Sequence, residues 1–170
     1  MRSDARGPGN RLAIAWLAGT IVVGVLDGLD AIVVFGLRSG VTPKQLFQGI
    51  ASGLLGPASF SGGWRSAALG VALHFLVAGG IVATFLAASR VVPSLARRPF
   101  LFGPLYGIVV YWVMNLVVIP LSAIGGSSFT WFGVTNGLLI HMVGVGLPAA
   151  LAARWAGPAG RVPPRTSRSI

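Results

Sequence analysis

Asp27 and Asp30 stand three residues apart inside an apolar run that extends from Leu12 to Leu37. Such a run exceeds the ~20 residues needed to cross the hydrocarbon core of a bilayer. A carboxylate at mid-bilayer costs roughly 2.5–3.5 kcal/mol on insertion scales. At spacing i, i+3 both acids lie on one helix face. Together they require a polar partner, a water-filled cavity, a bound cation or a proton. The chain's third acid, Asp4, lies in the N-terminal tail, and there is no glutamate. Two of three acids are thus placed where charge is least tolerated.

Composition agrees with a membrane setting. Charged residues make up 9% of the chain, against about 25% in an ordinary soluble domain. The net charge of +10 does not mark a nucleic-acid binder. Its arginines lie in the tails and at the ends of apolar runs, not in a basic stripe interleaved with aromatics. Anionic lipid headgroups are the matching partner for such arginines. The absence of cysteine excludes disulfides, thiolate metal sites and cysteine nucleophiles.

Four apolar runs predict an all-α membrane domain over residues 12–155, a bundle of four transmembrane helices. The spans are about 12–37, 66–89, 100–121 and 132–153. Residues 1–11 read as a cytoplasmic tail and 156–170 as a disordered basic one. Between spans 1 and 2, Thr42-Pro43 reads as an N-cap followed by proline at the first helical position. Leu46, Phe47, Ile50, Leu54 and Leu55 then recur at helical spacing, with Lys44, Gln45 and Gln48 opposite. This predicts a short interfacial helix over 42–55, too short to span. Pro148 should kink span 4.

Small-residue pairs at Gly24/Gly28, Gly103/Gly107 and Gly133/Gly137 let helices approach closely, within one chain or between copies. Gly79, Ala83 and Ala87 form a small-residue stripe on span 2. Arg2, Arg6, Arg11, Arg90, Arg97, Arg98, Arg154, Arg161, Arg165 and Arg168 fall in the tails and the span 2–3 loop. Only Arg38, Lys44 and Arg65 fall in the other two loops. The positive-inside rule then places both termini in the cytoplasm. Laying span 2 on span 4 at an offset of 67 aligns Gly70 with Gly137, His74 with His141, Gly79 with Gly146 and Ala83 with Ala150. That pattern suggests two related hairpins.

Measured from the outer span ends, Asp27, Asp30, His74, Asn115 and His141 lie within about 6 Å of one another in depth. Asn136 is shallower, four residues in. The five predict a buried polar layer in which the carboxylates meet His74 and at least one of Asn115 and His141. One reading of the layer is structural, a hydrogen-bonded network that pins helix register in a non-catalytic membrane component or assembly partner. Another is a proton or cation site in a small coupled transporter. As a metal site, Asp27, Asp30, His74 and His141 would suit Zn, Fe or Mn. Haem held by His74 and His141 is disfavoured by the neighbouring carboxylates. The sequence requires no cofactor. It has no nucleophile elbow, P-loop or HExxH motif, which gives no ground for an enzyme.

Several strings occur together: Ile50-Ala51-Ser52-Gly53-Leu54-Leu55-Gly56, Leu73-His74-Phe75, Ala88-Ser89-Arg90, Leu105-Tyr106-Gly107, Met114-Asn115 and Pro120-Leu121-Ser122-Ala123. On these the chain resembles a family of short, uncharacterised four-span bacterial inner-membrane proteins, the YagU-like group. The resemblance covers roughly residues 19 to 152. It implies four inner-membrane spans and an acid at the position of Asp27, and carries no activity.

Overall fold

A computed structural model describes residues 8–126 and 129–157. The described residues form helices and turns, and four helices are long and apolar enough to cross a membrane. Helix α1 is Pro8–Ser39, α2 is Pro43–Leu55, α3 is Gly63–Val91 and α4 is the single turn Ser94–Arg97. Helix α5 is Pro99–Leu121 and α6 is Trp131–Ala156. The tail readings fall mostly outside the described residues, but Pro8 to Arg11 already belong to α1, and Ala156 ends α6.

Helix α2 forms where the sequence puts it. Thr42 caps it in a box, its hydroxyl accepting from Gln45 N–H while the Gln45 side chain accepts from Thr42 N–H at 2.9 Å. Pro43 occupies the first turn, and Gly56, at φ 59°, ends the helix. From the end of α1 the helix crosses α3, its Phe47 carbonyl pressed on Gly70, to the turn after α5, where Ala123 N–H donates to Gly53 O at 2.9 Å. It therefore lies across one end of the bundle.

The face expected to be polar is only partly so. Gln48 is 2% exposed, not turned outward with Lys44 and Gln45. Its amide nitrogen lies 3.1–3.3 Å from the carbonyls of Ser59, Phe60 and Gly63 and the Ser66 hydroxyl. The 3₁₀ turn Gly56–Ser61 brings the Ser59 carbonyl to a buried position, where an acceptor needs a donor. Leu54 and Leu55, on the apolar stripe of this helix, are exposed.

The four long helices pack tightly only toward the end where α1 begins and α6 finishes. The core holds Ala15 and Val23 of α1, Ala78, Val82, Phe85 and Leu86 of α3, Val110 of α5, and Val145, Ala149, Ala150 and Ala153 of α6. Trp16 Nε1 donates to Gly79 O at 2.9 Å, and Tyr106 Oη donates to Ile81 O at 2.8 Å. Both bonds tie α3 to a neighbour at this end. Of the stripe Gly79, Ala83 and Ala87, only Gly79 packs against another helix; the alanines are exposed. Toward the α2 end, α1 has no buried residue beyond Gly28, and none is buried in Met114–Leu121 or Trp131–Ile140.

Among the four long helices the closest contact joins α5 to α6. Side chains at Gly103 and Gly107 would run into the backbone of Gly146–Leu147 and His141–Met142. Gly107→Ala should therefore destabilise the protein by about 1–3 kcal/mol, the usual cost of overpacking. At this chain length that lowers the melting temperature in detergent by several degrees. Gly80→Ala, where an added methyl meets nothing within 4 Å, should leave it unchanged or slightly raised.

Candidate functional site

The polar side chains named from the sequence all lie in the loosely packed half beneath α2, each partly exposed. They are held separately. Asp30 meets α6, its Oδ2 accepting from Asn136 Nδ2 at 2.9 Å. His74 reaches α1 through the backbone, with Nε2 2.8 Å from Gly24 O. His141 bonds within its own helix, Nδ1 2.8 Å from Gly137 O. Asn115 Nδ2 likewise donates to Tyr111 O at 2.9 Å. Among the described residues Asp27 makes no hydrogen bond or ion pair. No group of three His, Asp or Glu side chains among them is placed to hold a metal ion, so the four-ligand set has no common centre.

Helix packing explains His74. A side chain at Gly24 would collide with the Phe75 ring, and one at Gly28 would lie 3.3 Å from His74 Nε2. The two glycines bring α3 close enough for the imidazole to reach an α1 carbonyl. The ring is also edge-on to Phe47 of α2 and Phe75, with centroids 6.2 and 5.6 Å apart. Helix α2 thus sits directly above His74.

Prolines explain the other two. Helix α5 widens into a π turn at Met114–Val118, and α6 at His141–Gly146. Each turn ends two residues before a proline, Pro120 and Pro148. A proline ring strikes the carbonyl four residues earlier in an α-helix. In the wide turn, Ile119 N–H bonds to Met114 O and Leu147 N–H to Met142 O, each five residues back. The expected kink at Pro148 is therefore met by a π turn, and Pro120 has one as well. Asn115 and His141 lie in these turns, and their side chains bond to carbonyls four residues back. Spans 2 and 4 differ here, because α3 is an uninterrupted α-helix around His74.

The hydrogen bonds fix which atoms remain available. A carbonyl oxygen only accepts, so His74 carries hydrogen on Nε2 and His141 on Nδ1. In the neutral rings, His74 Nδ1 and His141 Nε2 are left as acceptors. Asp27 offers a carboxylate, and Asp30 its second oxygen. Two cations lie against aromatic faces, Arg38 3.9 Å from the Phe132 ring centre and Lys44 5.5 Å from that of Trp64. Every group left unused on the two acids and the two neutral imidazoles is an acceptor, an arrangement suited to a proton or a cation.

Asn136 and Gln48 are the two polar residues whose roles sequence reasoning missed. Depth alone places Asn136 above the layer, yet one helical turn is about 5.4 Å, and the Asp30 and Asn136 side chains bridge the gap. The signal was its being the lone amide on span 4 facing the acids' half.

Comparison with protein-family models, with curated proteins and with solved structures finds no match for this chain. The Asp30–Asn136 bond should show a coupling of about 0.6 kcal/mol, the average for hydrogen bonds between membrane helices, and no more than about 1.7 kcal/mol. A double-mutant cycle of Asp30→Val and Asn136→Val in detergent unfolding measures it. A coupling of zero would mean that the pair does not bind α1 to α6.

Proposed function

We propose that this chain is a multi-pass protein of the bacterial inner membrane, with both termini cytoplasmic, in which the half beneath α2 forms a proton or cation site of a small coupled transporter. The acceptor character of the atoms left unused on the acids and imidazoles carries this reading. Asp27 is its centre, because it is the one acid with neither an amide nor a guanidinium to offset its charge among the described residues. Intramembrane acids and histidines commonly mark proton or ion paths. The wide turns at Asn115 and His141 support it further, since π turns recur at functional sites. Helix α2 and Phe47 then cover the periplasmic side of His74.

The four span lengths support insertion. Helix α1, at about 1.5 Å per residue, is longer than the ~30 Å hydrocarbon core and tilts or projects. The distribution of arginine supports the orientation. A cytoplasmic reporter fused after Ile170 should be active and a periplasmic one silent. The reverse pattern would invert the topology.

A second reading is a non-catalytic membrane component or assembly partner whose polar groups hold its own helices. The bonds from Asn136 to Asp30 and from His74 to Gly24 favour it, since each joins two helices. Flux through liposomes separates the two. With an imposed pH or cation gradient and an internal dye, the wild type should dissipate the gradient. Asp27→Asn should fall to the protein-free level while its melting temperature stays within a few degrees. Equal behaviour of both proteins would leave the structural role standing.

A further inference from the structure

At the opposite end of the bundle a cleft of about 230 Å³ opens between the end of α3, the turn α4 and the end of α6. Its walls are Ser89, Pro93, Ala96 and Gly157, and Arg97 and Arg154 supply its charge. Among the described residues neither guanidinium forms a hydrogen bond or ion pair. The other described acids, Asp27 and Asp30, lie in the α2 half of α1. One carbonyl in the last turn of each of α3 and α6 is met by a backbone donor, Val92 N–H on Ala88 O and Gly157 N–H on Arg154 O. The Ser89 hydroxyl is turned to Leu86 O at 2.8 Å. Among the described residues the two arginines therefore have no counter-charge.

We propose that this cleft binds the phosphate of an anionic phospholipid headgroup, with Arg97 and Arg154 donating to its oxygens. The planar guanidinium fork matches phosphate better than a lysine ammonium does. A lipid is favoured over a free anion because the cleft is bordered by exposed apolar side chains. Val91 is 83% exposed, Val92 46% and Trp155 54%. These give the acyl chains and glycerol region a surface beside the charged cleft, and Trp is suited to the headgroup level. Basic pockets between helix ends on the cytoplasmic side are where such headgroups bind. The inference rests on the bilayer reading above but not on the cation site.

Full-length protein is reconstituted in nanodiscs of mixed phosphatidylglycerol and phosphatidylcholine, and the lipid retained after transfer to detergent is read by native mass spectrometry. Wild type should keep phosphatidylglycerol in preference, and Arg97→Gln/Arg154→Gln should lower that preference about tenfold. Arg38→Gln/Arg65→Gln, at the other end, should leave it intact. An excess of inorganic phosphate should not displace the lipid. Equal retention by the Arg97/Arg154 variant and wild type overturns the site, as does an equal loss in the Arg38/Arg65 variant. Displacement by phosphate overturns the lipid assignment in favour of a free anion. Failure to enter nanodiscs would overturn the bilayer reading as well. Entry without headgroup preference overturns the cleft alone.

Discussion

The contact of backbone on backbone between α5 and α6 is the constraint on which the rest depends. Helices in lipid gain little from burying apolar side chains against each other, because the acyl chains are as apolar as leucine. Association then rests on close van der Waals approach and on interhelical hydrogen bonds. Gly103 and Gly107 remove the side chains that would hold α6 away, and Gly146 does the same from the other side. The same logic joins α3 to α1, where Gly79 takes Trp16 and Thr20 and Gly24 takes Phe75. Of the four aligned pairs, Gly79 and Gly146 each pack on the preceding long helix, whereas Gly70 meets α2 and Gly137 meets α5, the two histidines bond differently, and Ala83 is exposed where Ala150 is buried.

Close packing at one end leaves the other end free to hold polar groups. The acids of α1 lie where α5 and α6 bury nothing, so they are partly accessible in place of being sealed in the core. Separation matters as much as proximity here. Were both carboxylates to share the two imidazoles, donors would satisfy them and little capacity for an incoming cation would remain. Instead each imidazole gives its hydrogen to a backbone carbonyl, and Asn136 serves one oxygen of Asp30. That economy of donors is what makes the half acceptor-rich. Helix α2 closes it from above, anchored by the buried Gln48.

Much of this architecture was legible in the chain. The four apolar runs and the Thr42-Pro43 start of α2 give their positions directly, because length and capping are local properties. Depth in the bundle was legible too, which brought Asp27, Asp30, His74, Asn115 and His141 into one half. Rotation about each helix axis was not, and rotation decides whether two side chains at one depth meet. Asp30 turned to Asn136, and His74 to a carbonyl that no residue identity reveals. Gln48 reads as a surface residue until the carbonyls of a turn eleven to fifteen residues later are brought against it. The π turns escaped because a proline in an apolar run announces disruption without stating its form.

A π turn holds one residue more than the α turn it replaces. Beyond each, the helix is phased about 100° differently from an unbroken one. The two halves of α5 and α6 therefore obey different face assignments. On the terminal side the glycines face one another, and past the turn that register no longer applies. Loss of a single residue from Met114–Val118 or His141–Gly146 would restore one continuous phase and swing the segment beyond it. In α6 the swung segment contains Asn136, which would lose its alignment with Asp30. Chain length within these two turns is thus itself a structural determinant, as binding on the fold as any side chain it carries.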